Sequence, residues 1–204
     1  VEGQGDKDLF ISLMKRFNLP VPNILVGGGV TKFPGYLRFL EEFCSELEYK
    51  PKIIAIFDRD SEGRQVFNSL KSRHYDDIDL DCKYIVRFDG ETHNNIELED
   101  FIYPDTLYDA TNRILRKKKY KGIKKSDRTK RISIAYNKNP ILDFLTEISK
   151  QNNPEKVSID FSKESMKMIL TNECCQIIEQ SDLSKMNMEY PEVFVFLKDI
   201  LRIP

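Results

Sequence analysis

The chain has 204 residues, 40% of them apolar and 11% aromatic, enough for one large domain or one domain with an extension, and this composition excludes global disorder. A net charge of -1 argues against a general nucleic-acid coat, and no apolar run approaches the ~20 residues needed to span a bilayer, so no membrane partner is expected. No secretory signal is visible, and Cys44, Cys82, Cys174 and Cys175 lack Cys-x-x-Cys spacing, which reads as reduced core thiols of a cytoplasmic protein.

Leu9, Phe10, Leu13, Met14 and Phe17 share a face, predicting a helix from about 6 to 18, stopped by Pro20 and Pro22. Asn23–Val26 reads as a short buried strand closed by Gly27, Gly28 and Gly29. A helix is expected over 34–48, with Leu37, Leu40, Phe43 and Leu47 on one face; Phe39, Phe43, Phe194 and Phe196 are all expected in the core. Ile53–Phe57 is a continuous apolar run of the kind found in parallel strands buried on both faces. A helix over 62–73 and a strand over 82–88 follow. This alternation predicts an α/β fold, a Rossmann-like parallel sheet flanked by helices. Val1-Glu2-Gly3 looks like the end of a strand whose body lies before residue 1. After about Asp105 the alternation stops: a helix over 107–119, then helices over 140–150, 163–180 and 191–201 make a C-terminal helical extension. Two regions result, 1–105 and 106–204.

Three acidic groups fall at element ends. They are Glu2 with Asp6, Asp58 with Asp60, and Glu97 with Glu99 and Asp100. Carboxylates as close as Asp58 and Asp60 repel by about 1 kcal/mol in water and by several at a protein surface. A divalent cation offsets that repulsion most simply. In open parallel sheets, sites lie beyond the carboxyl ends of the strands, where all three groups would meet. An all-oxygen set suits one or two Mg²⁺ or Mn²⁺ ions rather than zinc. The structural alternatives are plain: Asp58, Asp60 and Asp6 could cap helices, and Glu97 and Glu99 could be a solvated helix start. Two residues apart on a helix, Glu97 and Glu99 would not share a face, so only one is expected as a ligand. His74 and His93 read as surface residues, with His93 the nearer to the acids in sequence.

Charge is uneven. Arg113 to Arg131 holds eleven Lys or Arg against one acid, Asp127, while Asp89 to Asp109 carries seven acids and no Lys or Arg. Residues 117–131 read as an exposed loop or mobile arm. Its cations, among them Lys117, Lys118, Lys119, Lys121, Lys124 and Lys125, are candidates for a nucleic-acid backbone; a solvated arm or a contact to a partner protein would explain them equally.

Glu-Gly at a first strand end, followed by Asp-x-Asp after a later strand, resembles the TOPRIM domain, over about residues 1–105. Asp6, completing Glu-Gly-x-x-Asp, and the later Glu-Leu-Glu-Asp-Phe make the chain most similar to OLD-type nucleases and related TOPRIM effectors of bacterial anti-phage systems, the neighbourhood of the PARIS nuclease subunit. The resemblance implies a Mg²⁺- or Mn²⁺-dependent endonuclease acting on DNA or RNA. Glu2 would be a metal ligand or general base, Asp6, Asp58 and Asp60 metal ligands, and Glu97 or Glu99 a further ligand. Lys163 or Lys167 would be the basic residue near the scissile phosphate, and the Gly27-Gly28-Gly29 turn with Lys32 would contact a phosphate. It also implies an ATPase partner or fused ATPase domain, and allows a homo-oligomer. Two other readings stand beside it: a primase- or topoisomerase-type nucleotidyl-transfer domain, although no tyrosine sits in a recognisable nucleophile context, and a degenerate scaffold.

Overall fold

A computed structural model describes residues 1–92, 95–124, 126–127 and 141–203. Helix α1 (Gln4–Arg16) opens the fold. A 3-10 turn at Val30–Lys32 leads into α2 (Phe33–Cys44). Then come β1 (Lys52–Phe57), α3 (Ser61–Lys71) and β2 (Asp79–Tyr84). The remainder is helical: α4 (Leu98–Phe101), α5 (Pro104–Lys117), α6 (Ile141–Asn152), α7 (Glu164–Gln180), α8 (Ser184–Glu189) and α9 (Glu192–Leu201).

Among the described residues the sheet consists of β1 and β2, parallel, with Lys52 opposite Asp79 and Phe57 opposite Tyr84. The pleat of β1 sorts its side chains between two cores. Ile53, Ala55 and Phe57 face a small core with Val30, Phe33, Leu37, Phe67 and Leu70. Ile54 and Ile56 face a larger one built from α1, α5, α6, α7 and α9. The strand is therefore covered on both sides, as its unbroken apolar run requires. The larger core draws on both sides of residue 105, because α1 packs along α7 and α5 packs along the same helix. At its centre Phe10, Phe101 and Phe196 stack ring against ring, with centroids 5.5 Å apart for Phe10–Phe101 and for Phe101–Phe196.

Several expectations need correction. Asn23–Val26 is not a strand, and Leu25 is exposed. Its backbone nonetheless meets the chain start in parallel register: Val1 N donates to Leu25 O (3.1 Å) and Gly27 N to Val1 O (2.9 Å). Phe39 and Phe43 are 61% and 71% exposed on the outer face of α2, whereas Phe196 is buried and Phe194 packs on Phe17. Of the segment expected as an exposed loop or mobile arm, Lys117 ends α5 and residues 118–124 form an exposed loop whose backbone is held by Asn112, Asn152 and Asn153; Lys125 and residues 128–131 lie outside the described residues. No described helix is long and apolar enough to cross a membrane. The four cysteines are free thiols, three of them buried.

Phe101 is fully buried between two aromatic neighbours. Phe101→Ala should therefore lower unfolding free energy by about 3–5 kcal/mol, read from the urea midpoint at unchanged m-value.

Candidate active site

The first acidic group is positioned by backbone. Gly28 N and Gly29 N both donate to Glu2 O (3.1 Å each), and Gly27 N donates to Val1 O. Gly28 and Gly29 adopt φ of 71° and 110°, which glycine tolerates without cost. The amides expected to cradle a phosphate are thus spent on holding Glu2. Lys32 is exposed, its ammonium lying over Gly28. Asp6 sits in the first turn of α1 and reaches back to Glu2 N (3.0 Å) and Gly3 N (2.9 Å), closing a cap.

The second group leaves β1. Asp58 N donates to Glu2 Oε1 at 3.3 Å, which joins the first two groups directly. Arg59 N donates to Ile96 O (2.7 Å), which brings the third group alongside. Asp60 caps α3, accepting from Gly63 N at 2.6 Å. Gly63 lies so close to this turn that a Cβ would stand 2.1 Å from the Asp58 carbonyl oxygen.

The third group straddles the start of α4. Glu97 is its extended N-cap and Glu99 its second helical residue, so helical periodicity does not separate them. Asp100 turns back to accept from Glu97 N at 3.1 Å. Glu99 is buried, Glu97 half-buried. From α7, Lys167 Nζ lies 3.5 Å from Glu97 Oε2. Lys167 precedes the buried Leu170 and Cys174 by three and seven residues, so the inward face of α7 carries it to the acids. Lys163, the residue before α7, is exposed and makes no ion pair among the described residues. Four residues apart, the two lysines would share a helix face; what separates them is that Lys163 stands outside the helix as its extended N-cap.

The electrostatics report the crowding. Burial raises the Glu2 carboxyl to about 7; its hydrogen bond from Asp58 N opposes this, and Asp6 and Asp60 add to it. Burial also pushes Asp58 well above the carboxylate range, reinforced by Glu2, Asp6, Glu99 and Glu97. Glu99 is raised to about 7 by burial, against the pull of Lys167. Burial lowers Lys167, but Glu99, Glu97 and Asp58 outweigh it and the net direction is upward.

Glu2, Asp6, Asp58, Asp60, Glu97 and Glu99 are thus brought to one rim, with Lys167 beside them. The donors are all carboxylate oxygens, which suits Mg²⁺ or Mn²⁺, and their mutual repulsion is what a cation would relieve. Among the described residues no three of these side chains form a preformed metal cluster. The reason is visible: Asp6 and Asp60 point at backbone amides and Glu97 at Lys167. Of the basic candidates, Lys117 pairs with the buried Glu173 of α7, and Lys118, Lys119, Lys121 and Lys124 are exposed. His74 pairs with Asp76 at the surface, away from these acids; His93 and Lys125 lie outside the described residues.

No protein-family model, curated protein or solved structure matches the chain.

Two outcomes follow from this geometry. Gly63→Ala should displace Asp58 and cost about 1–3 kcal/mol, measured by thermal unfolding beside a Ser61→Ala control. Glu99 titrates near 7 when folded and near 4.5 when unfolded, so between those values the native state binds more protons. Its contribution is whole below about pH 4.5 and is lost as pH rises through about 7. Glu2 and Asp58 act in the same sense. In EDTA the urea midpoint should therefore fall between pH 5 and pH 8, with Glu99 alone accounting for about 3 kcal/mol; Glu99→Gln should flatten that slope.

Proposed function

We propose that the acidic rim at the end of β1 hydrolyses phosphodiester bonds of nucleic acid with the help of a divalent cation. The observation that carries this reading is the bond from Asp58 N to Glu2 Oε1, which joins two acidic groups far apart in sequence, with the third docked beside them through Arg59 and Ile96. Residues gathered only to cap helices would have no reason to converge. The TOPRIM likeness points the same way.

Asp58, Asp60, Glu97, Glu99 and Asp6 would hold the cation, with Asp6 and Asp60 giving it the oxygen that their cap bonds leave free. A divalent ion supplies positive charge at the phosphate and Lewis acidity. Glu2, poised near neutrality, is suited to accept the proton of the attacking water as its oxygen bonds phosphorus. The P–O ester bond then breaks, the departing oxygen takes a proton from solvent water, and Glu2 returns the proton it accepted to solvent. Lys167 stands ready to steady negative charge growing on the phosphate oxygens. Its contact with Glu97 keeps it near the reacting centre before substrate arrives.

Supercoiled plasmid, single-stranded DNA and tRNA incubated with Mg²⁺ or Mn²⁺, without nucleotides, test the reading. Cleavage should appear and drop by about 100-fold or more in Glu2→Gln and Asp58→Asn. Asp58→Asn should at the same time lessen the fall of the melting temperature with rising pH in EDTA, because it removes a group whose charging burial and the neighbouring acids oppose. Activity surviving both substitutions would end the proposal. Cleavage or synthesis that needs added nucleotides would favour the transferase alternative.

A further inference from the structure

The lysine-rich segment after α5 is stitched down by side-chain amides. Asn153 Oδ1 accepts from Lys121 N (2.7 Å) and its Nδ2 donates to Lys121 O (3.0 Å). Asn112 does the same two residues on, accepting from Ile123 N (2.7 Å) and donating to Ile123 O (3.3 Å). Both asparagines are buried. Tyr120 Oη donates to Val157 O (2.7 Å), and Asn152 Nδ2 to Gly122 O (3.2 Å). Two primary amides thus stand in for the neighbouring strand that the segment lacks.

At the root of the segment, α5 ends with Tyr120 N on Leu115 O (2.8 Å) and Lys119 N on Arg116 O (2.9 Å). This closure places Lys119 at φ 60°, where glycine is the less strained residue. Lys118, Lys119, Lys121 and Lys124 are exposed and have no carboxylate partner among the described residues. Of the nearby acids, Glu173 is buried under Lys117, Asp127 is buried, and Glu155 is exposed across the segment next to Lys156.

We infer that residues 118–124 are a preformed ridge for the phosphate backbone of a nucleic acid, with Asn112 and Asn153 as its positioning residues. This deepens the hydrolase reading by assigning the surface that holds its substrate. Fixing the backbone beforehand removes ordering entropy that a loose arm would lose on binding. The row exposes no large apolar side chain of its own, which suits a uniformly charged chain better than a protein interface with its apolar anchors. The ridge is tied to the acids through α7. Glu173 anchors its root and Lys167 meets Glu97, six residues or about 9 Å apart along the helix.

The test is equilibrium binding of a labelled oligonucleotide, single-stranded and duplex, to the full chain in EDTA, where cleavage cannot intervene. Affinity should fall with salt at a log–log slope approaching about -3.6 on duplex, for four lysines. Lys121→Gln with Lys124→Gln should reduce that slope by about 1.8. Asn153→Ala should weaken binding about 3–10-fold with little change of slope, since it loosens the ridge without altering charge. Lys119→Gly separates binding from folding: it should raise the melting temperature by about 2–4 °C while weakening binding. Unchanged affinity in the Lys121/Lys124 double variant or in Lys119→Gly would overturn the proposal, as would polyglutamate displacing the oligonucleotide at equal charge. If the wild type binds as expected but cleaves nothing in Mg²⁺, the ridge stands and the hydrolase reading falls; cleavage indifferent to the ridge variants does the reverse.

Discussion

The bond from the Asp58 amide to the Glu2 carboxylate is the constraint on which the site depends. It fastens the start of the chain to the exit of β1, a point itself fixed because the strand's two faces feed different cores. Neither partner can drift without disturbing well-packed side chains. The result is a set of carboxylates closer than electrostatics favours, kept together by packing and backbone hydrogen bonds. Burial, with repulsion among several of them, then moves four of them, Glu2, Asp6, Asp58 and Glu99, upward in pKa, a pattern more typical of working sites than of scaffolds.

Three of these six acids also hold up the fold. Asp6 closes the start of α1, Asp60 that of α3, and Glu97 supplies the first residue of the turn into α4. A carboxylate has two oxygens and about four lone-pair directions, so capping leaves capacity for another partner. That spare capacity is why helix-cap and ligand readings are both open from the sequence. It also explains why the glycine turn, although rich in amides, serves Glu2 and not an external anion.

Much of the architecture was legible. An apolar run with no polar interruption marked β1, and periodicity marked the C-terminal helices to within a few residues. The acidic groups were legible because they follow element ends. What escaped depends on partners distant in sequence. Periodicity was read as putting Leu37, Leu40 and Phe43 on one face, whereas α2 buries Leu37 and Cys44 and turns Phe43 outward. Asn23–Val26 has strand-like composition, yet it forms no strand and Leu25 is exposed. Lysine density alone suggested a solvated arm, because nothing in Asn112 or Asn153 announces a backbone 11 or 32 residues away. Choosing between Lys163 and Lys167, which would share a face, needed the start of α7, which leaves Lys163 outside the helix.

Helix α7 touches the acidic rim near its start and the root of the lysine ridge at mid-length. A rigid rod with two such attachments behaves as a mechanical linkage. Sliding it by a single residue, about 1.5 Å, would pull Lys167 from Glu97 and Glu173 from Lys117 together. The two ion pairs would therefore be made or broken in concert, whatever sets the helix in motion.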